Sequence, residues 1–393
     1  MTDSAITGVP TRQSAAEAFT PTATAGGEAG RSEADPALIS PTLIIGTGLV
    51  GASIGCALRN AGVEVHLQDK VRSHALVAVS RGAGSISPPD AGQVRLVVVA
   101  VPPAAIPSVV RAALQDYPQA TVTDVGSVKS AIANELHRSH ADPGSQPDIS
   151  RYLGSHPMAG SQYTGPLTAI PELFVDRTWV LVPGEANESS RQRVRTLARL
   201  CRARVVEMDA ATHDLAVAEV SHLPQLMSSL TAARLADAPP ADLRLAGQGV
   251  RDVTRIAASE PAMWRQIITA NADQISIQLR AVRDDLDALI SGLTDPAIVT
   301  DLLERGRTGV AALPGKHGHG RRELVNVVVE IPDAPGALAR LFADIQAQDI
   351  NVEDLTIEHD PVREVGYLGV QVVPERAEPL RQAMRDAGWS LLG

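Results

Sequence analysis

The sequence predicts an α/β protein in three folded parts: an N-terminal parallel sheet with helices on its faces, an all-helical middle and a C-terminal βαββαβ unit. Short apolar runs alternate with helical stretches over residues 42–183, as in a parallel sheet covered on both sides. Strand signals nearly vanish over 188–310, where helical periodicity takes over. After the Gly- and His-containing stretch Pro314-Gly-Lys-His-Gly-His-Gly320 comes strand, helix, strand, strand, helix, strand in about 70 residues, the ferredoxin-like order.

Residues 1–38 are rich in Ala, Thr, Ser, Gly and Pro, lack periodicity and read as a disordered tail, with order starting near Pro41. Leu43-Ile44-Ile45 is a buried strand, 50–61 a helix closed by Asn60-Ala61-Gly62, and 63–68 the next strand. Residues 96–101 form an apolar strand stopped by Pro102-Pro103; 121–124 is another, followed by a helix from about Ser130, and 178–182 is a later one. Helices follow over 211–236, 241–257, 262–291 and 296–311, with one strand at 203–207. Pro224 frees the carbonyl of Val220 and is expected to kink the first of these. The last unit has strands at 324–331, 352–358, 366–373 and 389–392 and helices at 337–348 and 377–387. The expected parts are therefore a tail (1–38), a nucleotide-binding domain (39–187), a helical domain (188–311), a linker (312–322) and a small α/β domain (323–393). By analogy with two-domain proteins of this layout, the helical domain is expected to form a homodimer.

A net charge of −10 with scattered basic residues argues against a grip on nucleic-acid phosphates. The two cysteines, Cys56 and Cys201, sit in apolar helical stretches and read as buried thiols rather than a disulfide or metal site. The two linker histidines lack a nearby Cys and read as linker, so no metal is expected. Neither a secretory start nor an uncharged apolar run of about 18 residues occurs, which leads to the expectation of a cytoplasmic protein with no membrane partner.

Gly46-Thr47-Gly48-Leu49-Val50-Gly51 fits G-x-G-x-x-G between a predicted strand and a predicted helix, the context of a Rossmann dinucleotide turn. Gly46 allows the turn, Gly48 lets a pyrophosphate approach, Gly51 packs helix on strand, and Leu49 lies in the turn just before the helix whose N-terminus faces the phosphates. Asp69, 18 residues past Gly51, ends the second strand and is placed to accept both ribose hydroxyls, favouring NAD over NADP; Lys70 and Arg72 pull the other way. The alternative is a purely structural glycine turn. Val101 and Asp124 end later strands at the edge where ligands bind in open α/β sheets and are expected to line the cofactor site.

Three further segments carry chemistry. His156, between Gly154 and Gly160, reads as a loop histidine and a base for a hydroxyl proton, or else as a cap. Ser127 in Asp124-Val-Gly-Ser-Val-Lys129 is placed to bond that imidazole, the substrate or the cofactor, or to N-cap the helix from Ser130; Lys129 reads equally as a surface charge. Arg251 and Arg255 share a helical face suited to a carboxylate, with Asp252 holding Arg255, or form a surface ion pair. Ser221 and Gln225 beside the Pro224 kink read as a cleft wall.

These segments together resemble the TyrA family of prephenate and arogenate dehydrogenases. The resemblance runs through Gly46–Gly51, Asp124–Lys129, His-Pro-Met-Ala-Gly-Ser at 156–161, His213-Asp214, Ser221-His-Leu-Pro224 and Asp-Val-Thr-Arg-Ile-Ala at 252–257, over about 42–310. It implies oxidative decarboxylation of prephenate to 4-hydroxyphenylpyruvate, or of arogenate to tyrosine, with NAD. It further implies that His156 accepts the ring hydroxyl proton, Ser127 supports that contact and Arg255 pairs with the ring carboxylate. Some members carry an acid where this chain has Gln162 and a histidine where it has Gln225; losing the acid favours prephenate's uncharged keto group over arogenate's ammonium. The C-terminal segment, with Asp333-Ala-Pro-Gly336 and Asn351, resembles an ACT domain, implying tyrosine or phenylalanine as an inhibitory effector. A β-hydroxyacid dehydrogenase is the competing enzyme, but it uses a lysine on its helical domain, and none of the three lysines lies between 206 and 315. A non-catalytic NAD-binding sensor is the alternative from another class.

Overall fold

The computed structural model describes residues 34–138, 147–160, 164–313, 324–332, 334–348, 350–360 and 365–392. Most of the expected tail (1–33), the linker core (314–323), Gln162 and Asp333 lie outside the described residues. The chain divides into two compact units, Met1–Asp287 and Ala288–Gly393.

The first unit is built on a seven-stranded sheet. Its strands in chain order are β1 (Thr42–Ile45), β2 (Val65–Gln68), β3 (Leu96–Val99), β4 (Thr121–Asp124), β5 (Tyr152–Pro157), β6 (Thr178–Val182) and β7 (Arg204–Glu207). Their spatial order is β2-β1-β3-β4-β5-β6-β7. Helices α1 (Leu49–Asn60), α2 (Arg72–Ser80), α3 (Ile106–Asp116), α4 (Ser130–Arg138) and α5 (Glu188–Leu200) connect them. Order begins before the expected Pro41: Asp35 caps a turn at Pro36–Leu38, and Ile39 is in the core.

The strand directions and the domain boundary both need correction. The sheet is mixed, not parallel throughout, because β6 runs antiparallel to β5; the two are joined without a crossover helix, which only a parallel neighbour requires. The helical domain also begins later than residue 188. Val194, Leu197 and Ala198 of α5 pack into the same core as Ile44, Ile54 and Leu96, and β7 pairs with β6. A four-residue strand reading Arg-Val-Val-Glu has too little apolar sequence to announce this.

The helical part of the first unit starts with α6 (Ala210–Val217), a π-helical turn (Ala218–His222) and α7 (Leu223–Arg234). The hydrogen bonding changes next to Pro224: the proline has no N–H for Val220, and the Leu223 N–H reaches back to the Ala218 carbonyl, which gives the π turn. The helix expected over 241–257 is broken into α8 (Pro240–Leu243), α9 (Gln248–Thr254) and a 3₁₀ turn (Arg255–Ala258). That expected over 262–291 is two helices, α10 (Pro261–Ala270) and α11 (Ala272–Ser291), separated at the buried Asn271. No described helix is long and apolar enough to cross a membrane.

The second unit contains α12 (Pro296–Ala312) and then β8 (Val325–Pro332), α13 (Ala337–Gln346), β9 (Asp354–Asp360), β10 (Val365–Val372), α14 (Pro374–Asp386) and β11 (Ser390–Leu392). The element order is the expected βαββαβ, and its antiparallel sheet has the order β11-β8-β10-β9. Val327, Val329, Leu368 and Val370 on one face meet Leu341, Ile345, Leu380 and Met384 of the two helices. Asn351 does not open the next strand as expected; it precedes β9, and its amide donates to Glu353 at 2.8 Å. Gly336 adopts φ +86° at the start of α13.

Candidate active site

Strand order reverses between β1 and β3, and ligands bind at the carboxyl ends of strands at such a switch point. The glycine turn sits there. At Gly46 φ is +99°, and a Cβ would lie 2.3 Å from the Ala100 carbonyl oxygen. A Cβ on Gly51 would meet the Gly46 carbonyl at 2.0 Å, so only glycine lets α1 seat on the turn. Nothing stands within 4 Å of the Cβ position of Gly48, the N-cap of α1, which leaves that face open beside the helix N-terminus at Leu49. Val101 is half-buried and packs against the core that includes Leu43, Val97 and Val99.

Asp69 follows β2, and its role extends beyond the expected one. Its Oδ2 accepts from the Thr47 N–H at 2.7 Å and the Thr47 hydroxyl at 2.8 Å, and its Oδ1 from the Val71 N–H at 2.8 Å. Burial pushes the carboxyl up, but these donors outweigh it and hold it below the usual range. The ionised acid thus braces the turn. Thr47 was not singled out in the sequence; its signal is a hydroxyl between the first two glycines. An open helix N-terminus, a tight turn and an oriented anionic acceptor fit a dinucleotide.

The Asp124 side chain is turned into the core and does not line the open edge of the sheet. It is 0% exposed: Lys129 forms an ion pair with it, the Tyr152 hydroxyl donates to it at 2.7 Å, and the Gly126 N–H donates at 2.8 Å. Lys129 is no surface charge; it is 2% exposed and also donates to the Ser155 carbonyl at 2.7 Å. A lysine this buried is stable when paired and hydrogen-bonded. The group fixes the turn that carries Ser127. Ser127 is half-buried and makes no side-chain hydrogen bond among the described residues, to His156 or otherwise. Nor does it cap α4. That task falls to Asp214 of α6, whose two oxygens accept from the Lys129 and Ser130 N–H groups, each at 2.8 Å.

His156 is on β5, not in a loop. Because β5 runs parallel to β4, its carboxyl end lies on the same sheet edge as the glycine turn. Its Nδ1 lies 2.9 Å from His213 Nε2, and His213 Nδ1 lies 2.8 Å from Asp214 Oδ1. Asn271, at the break between α10 and α11, donates from Nδ2 to the Asp214 carbonyl at 2.8 Å and to His222 Nδ1 at 3.1 Å. Burial first, then the charges of His213, Lys129 and His222, hold the His156 conjugate acid well below the usual imidazole range. His222 is likewise lowered, to about 4, chiefly by burial. In the sequence His213-Asp214 was only a motif of resemblance, and Asn271 carried no signal.

The helical wall continues along α7. Gln225 is buried and donates to the Ile256 carbonyl at 3.0 Å, tethering the turn that begins with Arg255. Ser221 is half-buried in the π turn. Gln225, Ala257, Ser259, Trp264 and Arg265 line a cavity of about 370 Å³. Arg251 and Arg255 are exposed and make no ion pair among the described residues. Asp252 does not hold Arg255: one turn earlier, Gln248 donates to it at 2.8 Å. Gln266 of α10 accepts from the Ala104 N–H at 3.1 Å, joining the helical wall to the loop after β3.

A dinucleotide turn and a half-buried imidazole on one sheet edge, facing a helical wall, define a nucleotide-dependent oxidoreductase. Residues 54–207 match the family model described as "Prephenate dehydrogenase, nucleotide-binding domain", and 209–301 match "Prephenate dehydrogenase, dimerization domain". The chain is 32% identical to the probable prephenate dehydrogenase NovF of Streptomyces niveus, over 88% of this chain and 98% of that one. It is 27% identical to the prephenate dehydrogenase of Lactococcus lactis, over 87% and 95%. The crystal structure of Synechocystis arogenate dehydrogenase superposes with a TM-score of 0.56 at 26% identity, covering 69% of this chain and 99% of that one. The chain belongs to the prephenate dehydrogenase family.

Proposed function

We propose that the protein oxidatively decarboxylates prephenate to 4-hydroxyphenylpyruvate with NAD. The observation that supports this most is His156, set at the carboxyl edge of the sheet beside the dinucleotide turn and backed by His213. The Gly46–Gly51 turn and Asp69 would hold NAD, which when bound accepts the hydride. His156 takes the proton of the ring 4-hydroxyl, Ser127 supports that contact, and Arg255, exposed and without an ion pair among the described residues, receives the ring carboxylate. Aromatisation drives loss of carbon dioxide, so the protein's work is positioning and charge balance. Gln225, Ser221 and Gln162 are assigned to the substrate side chain. No carboxylate stands at 162 or 225 to meet an ammonium, which favours prephenate over arogenate.

The test is NADH or NADPH formation from prephenate and from arogenate, each with NAD and NADP. Prephenate with NAD is expected to give the highest kcat/KM, and a preference for arogenate would overturn the substrate assignment. Asp69→Ser is expected to raise KM for NAD at least about tenfold, since it removes the ribose acceptor and the brace on Thr47 together. An unchanged KM would remove Asp69 from the nucleotide site.

The helical part serves as a homodimer interface in this reading, in keeping with the family's description of that region. The βαββαβ unit acts as an ACT-type regulatory domain, with Asp333, Gly336 and Asn351 in a site for tyrosine or phenylalanine. Its support is the ferredoxin-like order and the left-handed Gly336 at the turn into α13. Calorimetric titration of the full chain with each amino acid is expected to show binding and lowered turnover; no heat with either would sink the assignment.

A further inference from the structure

We propose that His213 and Asp214 are positioning residues that fix the tautomer of His156, leaving its Nε2 as the lone-pair nitrogen offered to the substrate. The role in catalysis rests on His156 being the base proposed above; the tautomer follows from the hydrogen-bond geometry with Asp214 ionised and His213 neutral.

An ionised carboxylate only accepts hydrogen bonds. Asp214 Oδ1 therefore accepts a hydrogen bond from His213 Nδ1–H at 2.8 Å, and a neutral His213 presents a bare Nε2. The nitrogen facing it at 2.9 Å, His156 Nδ1, must then be the donor. With its proton on Nδ1, neutral His156 has its lone pair on Nε2. That atom has no hydrogen-bond partner among the described residues, and Ser228 Oγ is the one buried side-chain polar atom there that lacks one, so Nε2 reaches solvent. The orienting end of the chain is well fixed. Asp214 also accepts from the Lys129 and Ser130 N–H groups, and the Asn271 amide holds its carbonyl. His213 itself is 0% exposed, and a flipped ring would lose its bonds to both Asp214 and His156.

In the reaction the hydroxyl O–H bond breaks, its electron pair stays on oxygen, and the proton forms the His156 Nε2–H bond. The imidazolium then donates from Nδ1 to His213 in a charge-assisted bond, with the Asp214 carboxylate as counter-charge. Asp214 thereby ties the helical wall to the same α4 turn that carries Ser127, so base and support are set by one side chain.

The test is long-range ¹H–¹⁵N correlation on the full chain labelled at histidine, with the His156 signals assigned from His156→Asn. Wild-type protein at about pH 7.5 is expected to show His156 as a single neutral Nδ1–H tautomer. In His213→Leu the Nε2–H form is expected to appear, and kcat to fall by about 10–100-fold with KM for NAD within about twofold. His213→Gln, whose amide oxygen accepts from Nδ1–H, is expected to keep the wild-type tautomer and recover most of that loss. An Nε2–H tautomer in the wild type, or an unchanged tautomer in His213→Leu, would overturn the proposal. Because the wild-type spectrum does not depend on His213→Leu, misfolding of that variant leaves the test intact. Wild-type protein with the expected tautomer but no turnover of either substrate would support the tautomer and reject the reaction.

Discussion

Replacing His156 by Asn is expected to lower kcat for prephenate by about 10²–10⁴-fold, the range for loss of a general base. Asn keeps a donor for His213 Nε2 and occupies similar space, so the melting temperature should hold and NAD affinity should stay within about threefold. Steady-state kinetics beside direct NAD titration separate the two effects. A fall of less than about tenfold in kcat would remove His156 as the base. The wild-type pH profile is a second check. Burial, reinforced by His213, Lys129 and His222, lowers the His156 conjugate acid, and Asp214 stands behind His213 as the facing anion. The base therefore stays neutral as pH falls through the usual imidazole range. The acid limb of kcat/KM should begin below about pH 6.5 rather than at it.

Lys129→Met is expected to destabilise the first unit by about 3–5 kcal/mol, because it strands the Asp124 carboxylate in the core with no counter-charge. Tyr152 and Gly126 would still donate to that carboxylate, which keeps the loss within this range rather than beyond it. Denaturant unfolding of the full chain measures the effect. The double variant Asp124→Asn with Lys129→Met removes the stranded charge and should be more stable than Lys129→Met alone. A single-variant cost below about 1 kcal/mol would mean that Lys129 behaves as the surface charge its sequence context suggests. Activity should fall with stability, since this cluster holds the Ser127 turn.

Local pattern carried most of the fold. A buried strand ending in G-x-G-x-x-G, an apolar run stopped by Pro102-Pro103 and a proline within a helical pattern each have one favourable local solution. The chain adopts it at Gly46, after Val99 and at Ala218–His222. β5 and the split helices were less legible. Gly154 and Pro157 depress strand propensity, and β5 forms because β4 and β6 flank it on both sides. Asn271 ends α10 because its amide turns inward to Asp214 and His222, partners more than forty residues away in sequence.

The sequence by itself determined the glycine turn, the βαββαβ order of the last unit and the residue types for nucleotide and proton chemistry, because these depend on short-range periodicity, backbone sterics and side-chain chemistry. Only the tertiary structure decided which polar residues face the cleft and which are buried beneath it. Asp124 and Lys129 look like site residues or surface charges in one dimension, yet each becomes the other's buried counter-ion. Asp214 looks like one more helical acid, yet it caps a helix of the nucleotide-binding part and orients His213. Such assignments depend on which long-range partners neutralise a charge once water is excluded, and that pairing exists only when the strands and helices have packed.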